Sequence, residues 1–400
     1  MGASLAGAKA AETLRNEGFE GRLVLVGEEP EHPYERPPLS KDHLRGQDEP
    51  GSIFVHHEGF YAEQDIELRS STRITALHPS VAQIVADSGE VIGYDRLLLA
   101  TGARPRRLGV PGSELDGIHY LRTVQDCDRL RAALASASRL AVVGAGWIGS
   151  EVAASARQLG VEVLLMDPMA TPLERVLGPE VGAVYRDLHA DHGVQLHPNT
   201  SVDAFVGHHS VEGVRTADGA VLAADLVVAG IGVEPRTELA AAAGLDLDNG
   251  IAVDEHLQTS APGVYAAGDV AAAWHPDLGR RIRVEHWANA LNQGIVAAKN
   301  MLGVPTVYDR VPYFFSDQYE LGMEYAGYTT SWDRVVFRGD PATGEFIAFW
   351  LADGQVLAGM NANTWEVNDA IQDLIRSKHP VAVDRLADTA VPLAELVTAT

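Results

Sequence analysis

Apolar positions in this chain fall mostly into short unbroken runs instead of alternating with polar ones. Arg22 to Val26, Leu97 to Ala100, Leu140 to Val143, Val161 to Met166 and Leu226 to Ala229 each run into a glycine turn or an acid. Runs of this kind read as strands buried on both faces, as in parallel sheets covered by helices. Between them the period changes. A helical pattern follows Gly7 and stops at Gly18, and another follows Gly149 and stops at Gly160. Strand and helix alternating in this way predict an α/β fold built from β-α-β units.

The clearest unit is Arg139-Leu-Ala-Val-Val-Gly-Ala-Gly-Trp-Ile-Gly149, with its helix, the next strand and Asp167. Gly144, Gly146 and Gly149 form a G-x-G-x-x-G in the strand–turn–helix context that gives the motif meaning. Gly144 permits the tight turn. Gly146 leaves the backbone open to a pyrophosphate, and Gly149 lets helix and strand approach closely. The anion then rests on the unpaired N–H groups of a helix N-terminus. Asp167 is placed for the ribose hydroxyls and opposes a 2′-phosphate, which favours NADH over NADPH.

A second such unit opens the chain. Gly2 and Gly7 stand as the outer glycines, with Ser4 in the middle place, and Glu28 and Glu29 end the following strand. Met1 occupies what should be the last residue of the first strand. The expectation is an N-terminus lacking that strand, with dinucleotide binding at this turn by the chain as it stands left open. Later, Leu97-Leu-Leu-Ala-Thr-Gly102 and Gln258 to Asp269 read as buried strands ending at glycine turns. A helix is expected after Gly268-Asp269, with Asp269 either binding a ribityl hydroxyl or serving as its N-cap.

Composition narrows the class. The net charge of −24 argues against nucleic acid and anionic membranes as partners. No apolar run reaches the roughly 18 residues of a membrane span, and no secretory leader opens the chain, so a cytoplasmic protein is expected. Cys127 is the only cysteine, which leaves no dithiol pair and no cysteine-ligated cluster. His189 and His192 have metal-ligand spacing but no third ligand, and read as solvated surface. The doublets His56-His57 and His208-His209 read as exposed loops.

Pro33-Tyr-Glu-Arg-Pro-Pro-Leu-Ser-Lys41 predicts a stiff extended segment. On its residues alone it is equally a surface loop with a solvated lysine. Glu151 is read on the first turn of the nucleotide helix, where an acid complements the dipole. From about Val311 the texture becomes short strands, Tyr313–Phe315, Arg334–Arg338, Glu345–Leu351 and Gln355–Met360, followed by a helix from Thr364 to about Ser377.

Together these residues resemble the oxygenase-coupled NADH-dependent ferredoxin reductases, FAD-dependent pyridine nucleotide oxidoreductases, over essentially the whole chain. The Pro33–Lys41 stretch carries the most specific match. The resemblance implies two Rossmann-like dinucleotide-binding domains, for FAD and NAD, plus a C-terminal α+β domain. Residues 1–112 and 238–311 would form the FAD domain, 113–237 the NAD domain and 312–400 the C-terminal domain. It assigns Lys41 and Glu151 the catalytic places, with Lys41 beside the flavin's hydride-accepting nitrogen. It implies FAD contacts from Gly2, Ser4, Ala6, Gly7, Glu28, Arg36, Lys41, Ile74, Ala100, Thr101, Gly102, Arg122, Gly268, Asp269 and Trp287. Trp287 matches a flavin-contacting position that is not tryptophan in a known member. It implies NAD contacts from Gly144, Gly146, Ile148, Gly149, Glu151, Asp167 and Gly232.

The implied partner is an iron–sulfur ferredoxin that feeds a haem monooxygenase or a ring-hydroxylating dioxygenase, with the reductase a monomer or weak dimer. Gly279-Arg-Arg-Ile-Arg283, extended by Arg310, Arg334 and Arg338, is the candidate docking face. The alternatives are a rubredoxin or small-acceptor reductase, and an apoptosis-inducing-factor-like redox signalling flavoprotein.

Overall fold

The computed structural model describes residues 1–397. They divide into two compact units. One comprises residues 1–36, 49–104 and 233–312, and the other residues 37–48, 105–232 and those from 313 onward.

In the first unit, the helix Leu5–Asn16 follows the glycine turn, as its pattern predicts. Its alanine-rich face packs against the helix Trp287–Met301. The approach is close: a Cβ on Gly294 would lie 2.4 Å from the Ala6 carbonyl oxygen. Strand Leu23–Val26 pairs in parallel with Ile66–Arg69, and Leu97–Leu99 in parallel with Val264–Ala266. These pairs are separate two-stranded sheets. Met1 and Gly2 bridge them. The Met1 amine donates to Leu98 O at 2.9 Å, Ala100 N donates to Met1 O at 2.8 Å, and Gly2 N donates to Val26 O at 2.8 Å. Burial pushes the Met1 amine down to about 5.

No α-helix follows Asp269. Gly268–Val270 is a single 3₁₀ turn, and the chain continues as strand Ala271–His275 between Ile251–Val253 and Arg280–Ile282. The alanines that read as helix-forming are buried in that sheet. Tertiary pairing overrides propensity here, and Asp269 has no helix to cap.

In the second unit five parallel strands lie in the order Gln195–His197, Glu162–Met166, Arg139–Val143, Leu226–Ala229, Ile118–His119. The order reverses beside Arg139–Val143, the switch point where such sheets bind ligands. The start of the helix Val124–Leu134 is fixed by Thr123 and Asp126 in a capping box.

The C-terminal sheet is antiparallel, in the order Tyr313–Gln318, Leu321–Gly327, Gln355–Ala362, Glu345–Ala352, Arg334–Asp340. Strand Leu321–Gly327 escaped the sequence reading because glycines interrupt its alternation. The helix expected from Thr364 begins at Asn368. The sheet packs on Leu177, Val181 and Tyr185 of the helix Glu174–Asp191, and the Trp350 indole donates to Leu177 O at 3.0 Å. His189 on that helix is buried, not solvated, because this sheet covers it. His56 is likewise not an exposed loop residue: its ring stacks on Phe60 at 3.7 Å.

Candidate functional site

The nucleotide turn of the second unit has the shape a pyrophosphate needs. Gly144 has φ +98°, and a Cβ there would meet Gly230 O at 2.5 Å. A Cβ on Gly149 would fall 1.9 Å from Gly144 O, whereas Gly146 faces open space. Gly146 is the N-cap of the helix Trp147–Gln158, and no side chain caps it. Its first-turn N–H groups are therefore available to an anion. Ile148 is exposed beside it, and Gly232 lies on the turn after Leu226–Ala229 with φ +92°.

Asp167 is held at the end of its strand. One carboxylate oxygen accepts from Ala145 N at 2.7 Å, the other from Met169 N at 2.8 Å. It lines a cavity with Thr171, Arg186 and His197. Arg186 and His197, remote from Asp167 along the chain, reach the cavity through the fold.

Lys41 and Glu151 meet. Lys41 Nζ lies 2.8 Å from Glu151 Oε1, with the two side chains 12% and 7% exposed. Of the segment expected to be extended, Tyr34 bridges Phe54 as a strand residue would, but Pro37–Ser40 is a 3₁₀ turn, which leads into the short helix Asp42–Arg45. Adjacent prolines suit this turn as well as an extended strand, because both need φ near −65°. The turn is stapled to the nucleotide helix: Ser155 Oγ donates to Ser40 O at 2.7 Å, and Arg45 donates to Ser155 Oγ at 3.0 Å.

Glu151 is not on the first helical turn but on the second, buried. Its partners are side chains, not the helix dipole. Ser40 Oγ donates to one oxygen at 2.5 Å and Ser316 Oγ to the other at 2.7 Å. Neither serine was singled out from sequence. Ser40 stood inside the quoted signature, but nothing along the chain marks Ser316. Beyond them, burial holds the Asp317 carboxyl above its ordinary range, opposed by the Lys41 charge and reinforced by that of Glu151. Arg122 is half-buried just before the capping box.

The first unit carries the other predicted residues. Gly2 has φ +100°, and a Cβ there would strike Ala100 O at 2.0 Å; a Cβ on Gly7 would lie 2.0 Å from Gly2 O. Ser4 is the N-cap of Leu5–Asn16, and its side chain makes no capping bond. Ala6 is buried in that helix. This turn is as close-packed as the first, and with an uncapped helix start it fits a dinucleotide phosphate.

Glu28 forms an ion pair with Arg236, while Arg36 pairs with Glu29 at 2.6 Å. The Arg236 hydrogen bond holds the Glu28 carboxyl below its usual range. Thr101 Oγ1 donates to Arg236 O at 2.9 Å, beside Ala100 and Gly102. Gly268 N donates to Gln293 Oε1 at 2.8 Å. Trp287 begins the helix Trp287–Met301, preceded by His286, whose imidazole burial pushes down to about 4. Ile74 is buried in the hydrophobic core of this unit.

Two glycine-turn cradles, each opening a helix, followed by a C-terminal antiparallel sheet, define a protein built to hold two dinucleotides. The chain belongs to the pyridine nucleotide-disulphide oxidoreductase family, whose model matches residues 1–294, and residues 313–397 match the reductase C-terminal domain. It is an oxidoreductase with FAD and a nicotinamide dinucleotide as its cofactors.

It is 39% identical over 406 residues to putidaredoxin reductase of Pseudomonas putida, covering 100% of this chain and 96% of that one. It is 40% identical over 394 residues to the ferredoxin–NAD(+) reductase component of the anthranilate 1,2-dioxygenase system of Burkholderia cepacia, covering 98% and 97%. The covalent putidaredoxin reductase–putidaredoxin complex superposes with a TM-score of 0.94 at 40% identity, over 99% of this chain and 96% of that one.

Proposed function

We propose that this chain is an FAD-dependent NADH:ferredoxin oxidoreductase that delivers electrons singly to an iron–sulfur ferredoxin serving an oxygenase. One observation carries the reading. Residues 1–294 match a pyridine nucleotide-disulphide oxidoreductase family, yet the one cysteine, Cys127, is buried and donates to Leu39 O at 3.2 Å. Burial pushes that thiol up to about 12, far from a reactive thiolate. With no dithiol to reduce, electrons leave through the flavin.

FAD, when bound, supplies the two-electron to one-electron conversion. The residues that would hold it are Gly2, Ser4, Gly7, Glu28, Arg36, Thr101, Gly268, Asp269 and Trp287, with Arg122 and Ile74 assigned by resemblance. Gly144, Gly146 and Gly149 would take the NADH pyrophosphate, and Asp167 its ribose. Lys41 Nζ lies against Glu151 and, by resemblance, faces the flavin. We assign residues 1–112 and 238–311 to the FAD domain, 113–237 to the NAD domain and 312–400 to the C-terminal domain, in a cytoplasmic monomer or weak dimer.

The purified protein should show a flavin spectrum and reduce a ferredoxin with NADH. NADPH should be at least tenfold poorer in kcat/KM. Asp167→Ala should lower kcat/KM for NADH about tenfold or more, as expected for a charged hydrogen bond of about 1.5–3 kcal/mol. Equal use of both nucleotides by the unaltered protein would refute the assignment of Asp167.

A further inference from the structure

The Glu151 carboxylate is the end of a longer line of buried polar groups. Ser316 donates to it at 2.7 Å. Gln318 lies two residues along the same strand, so both side chains leave the same face. The Gln318 amide nitrogen approaches Ser316 Oγ at 3.5 Å, and its carbonyl oxygen lies 3.0 Å from His189 Nε2. His189 Nδ1 in turn faces the Tyr319 hydroxyl at 3.4 Å. Ser316, Gln318 and His189 are all buried.

Only one direction of donation satisfies every member. Tyr319 O–H points to His189 Nδ1, so His189 carries its proton on Nε2 and donates to the Gln318 oxygen. The Gln318 amide then donates to Ser316, and Ser316 to Glu151. Every donor points towards the carboxylate, so each bond polarises the next. Nothing in this line touches either nucleotide turn, and packing alone would be served by apolar side chains.

We infer that Ser316, oriented by Gln318 and His189, is a positioning residue that fixes the Glu151 carboxylate against Lys41, with Ser40 holding the opposite oxygen. This rests on the proposed role of the Lys41–Glu151 pair. A glutamate side chain has three rotatable bonds. Two serines donating to different oxygens leave one orientation in which Oε1 also meets the Lys41 ammonium. Without Ser316 the carboxylate is held by Ser40 alone and can turn away from Lys41, so the part-buried ammonium is held less tightly in its ion pair.

The test is the rate at which an amine-selective acylating reagent labels Lys41 in the full-length protein at pH 8, followed by peptide mass spectrometry. Ser316→Ala should raise the rate about three- to tenfold, because an amine held less tightly once a hydrogen bond is lost reaches the reagent more often. Gln318→Met should give a smaller rise in the same direction. Glu151→Ala sets the upper limit, and Ser316→Ala should add nothing in that background. Labelling within twofold of the unaltered protein, or a rise that adds to that of Glu151→Ala, would overturn the inference. The readout does not depend on hydride transfer. Failure of NADH-driven flavin reduction to respond to Lys41→Ala would instead count against the proposed role of the pair.

Discussion

His189 shows how far one side chain can depart from its sequence appearance. It is spaced with His192 like a surface pair, yet burial against the C-terminal sheet pushes its imidazole down to about 4, opposed by the bond to Gln318. The unfolded residue titrates near 6.5. Between these values the unfolded chain binds a proton that the folded one does not, so stability falls as pH drops below 6.5 and is fully retained above it. By pH 5.5, still above the isoelectric point near 4.9, the loss from this residue should be about 1.4 kcal/mol. Urea unfolding at pH 7.5 and 5.5 checks it. His189→Asn should flatten the difference by about that amount, and an unchanged pH dependence would show that His189 is not the group responsible. His286, pushed down to the same range, remains in the variant and accounts for part of the residual slope.

At the scale of the element, the glycine turn and its helix separate two roles that a motif merges. Gly149 packs the helix on the strand, with a substituted Cβ 1.9 Å from Gly144 O, while nothing lies within 4 Å of a Cβ on Gly146. Gly149→Ala should therefore lower the apparent melting temperature by several degrees, in line with overpacking costs of about 1–3 kcal/mol, and should also weaken NADH binding. Gly146→Ala should leave the melting temperature within a degree or so while raising the NADH dissociation constant, if the open space its methyl would enter is the proposed pyrophosphate place. Differential scanning fluorimetry and titration with NAD(H) separate the two. Equal melting losses in both variants would mean that the open space at Gly146 is structural.

For the whole molecule the question is where a ferredoxin docks on a chain of net charge −24. The arginines grouped by sequence do not act together. Arg283 is committed to Glu285 and to Asp269 O, and Arg338 is buried, donating to Asp388 O and Val391 O at 2.6 Å each. Arg334 lies in the other unit. Arg280 and Arg281 remain exposed on the strand Arg280–Ile282, with Trp274 opposite Arg281, and Arg310 is exposed with its carbonyl oxygen 3.1 Å from His275 Nε2 of the neighbouring strand. If they steer an acidic ferredoxin, the association rate should fall by about 10- to 1000-fold at low salt when both become glutamate, and the difference should shrink as salt rises. Ferredoxin-dependent cytochrome c reduction measures this. Flavin reduction by NADH in stopped flow should not change; slowed reduction would move the patch to the nicotinamide site.

The local chemistry of both glycine turns, the parallel strands and the acids that end them were legible in the sequence, because each depends on a few adjacent residues: a backbone without Cβ, an apolar run, a side chain at a strand end. The Lys41–Glu151 pair was legible only through resemblance, since the two residues are remote in sequence and meet through a 3₁₀ turn stapled to a helix. What the tertiary structure alone decided was the surroundings: Ser316 on Glu151, the burial of His189, the capture of Ala271–His275 by a sheet, and the withdrawal of Arg338 from the surface. These depend on which strand lies beside which helix. Burial, pairing and desolvation are properties of neighbours in space, and neighbours distant in sequence leave no periodicity along the chain.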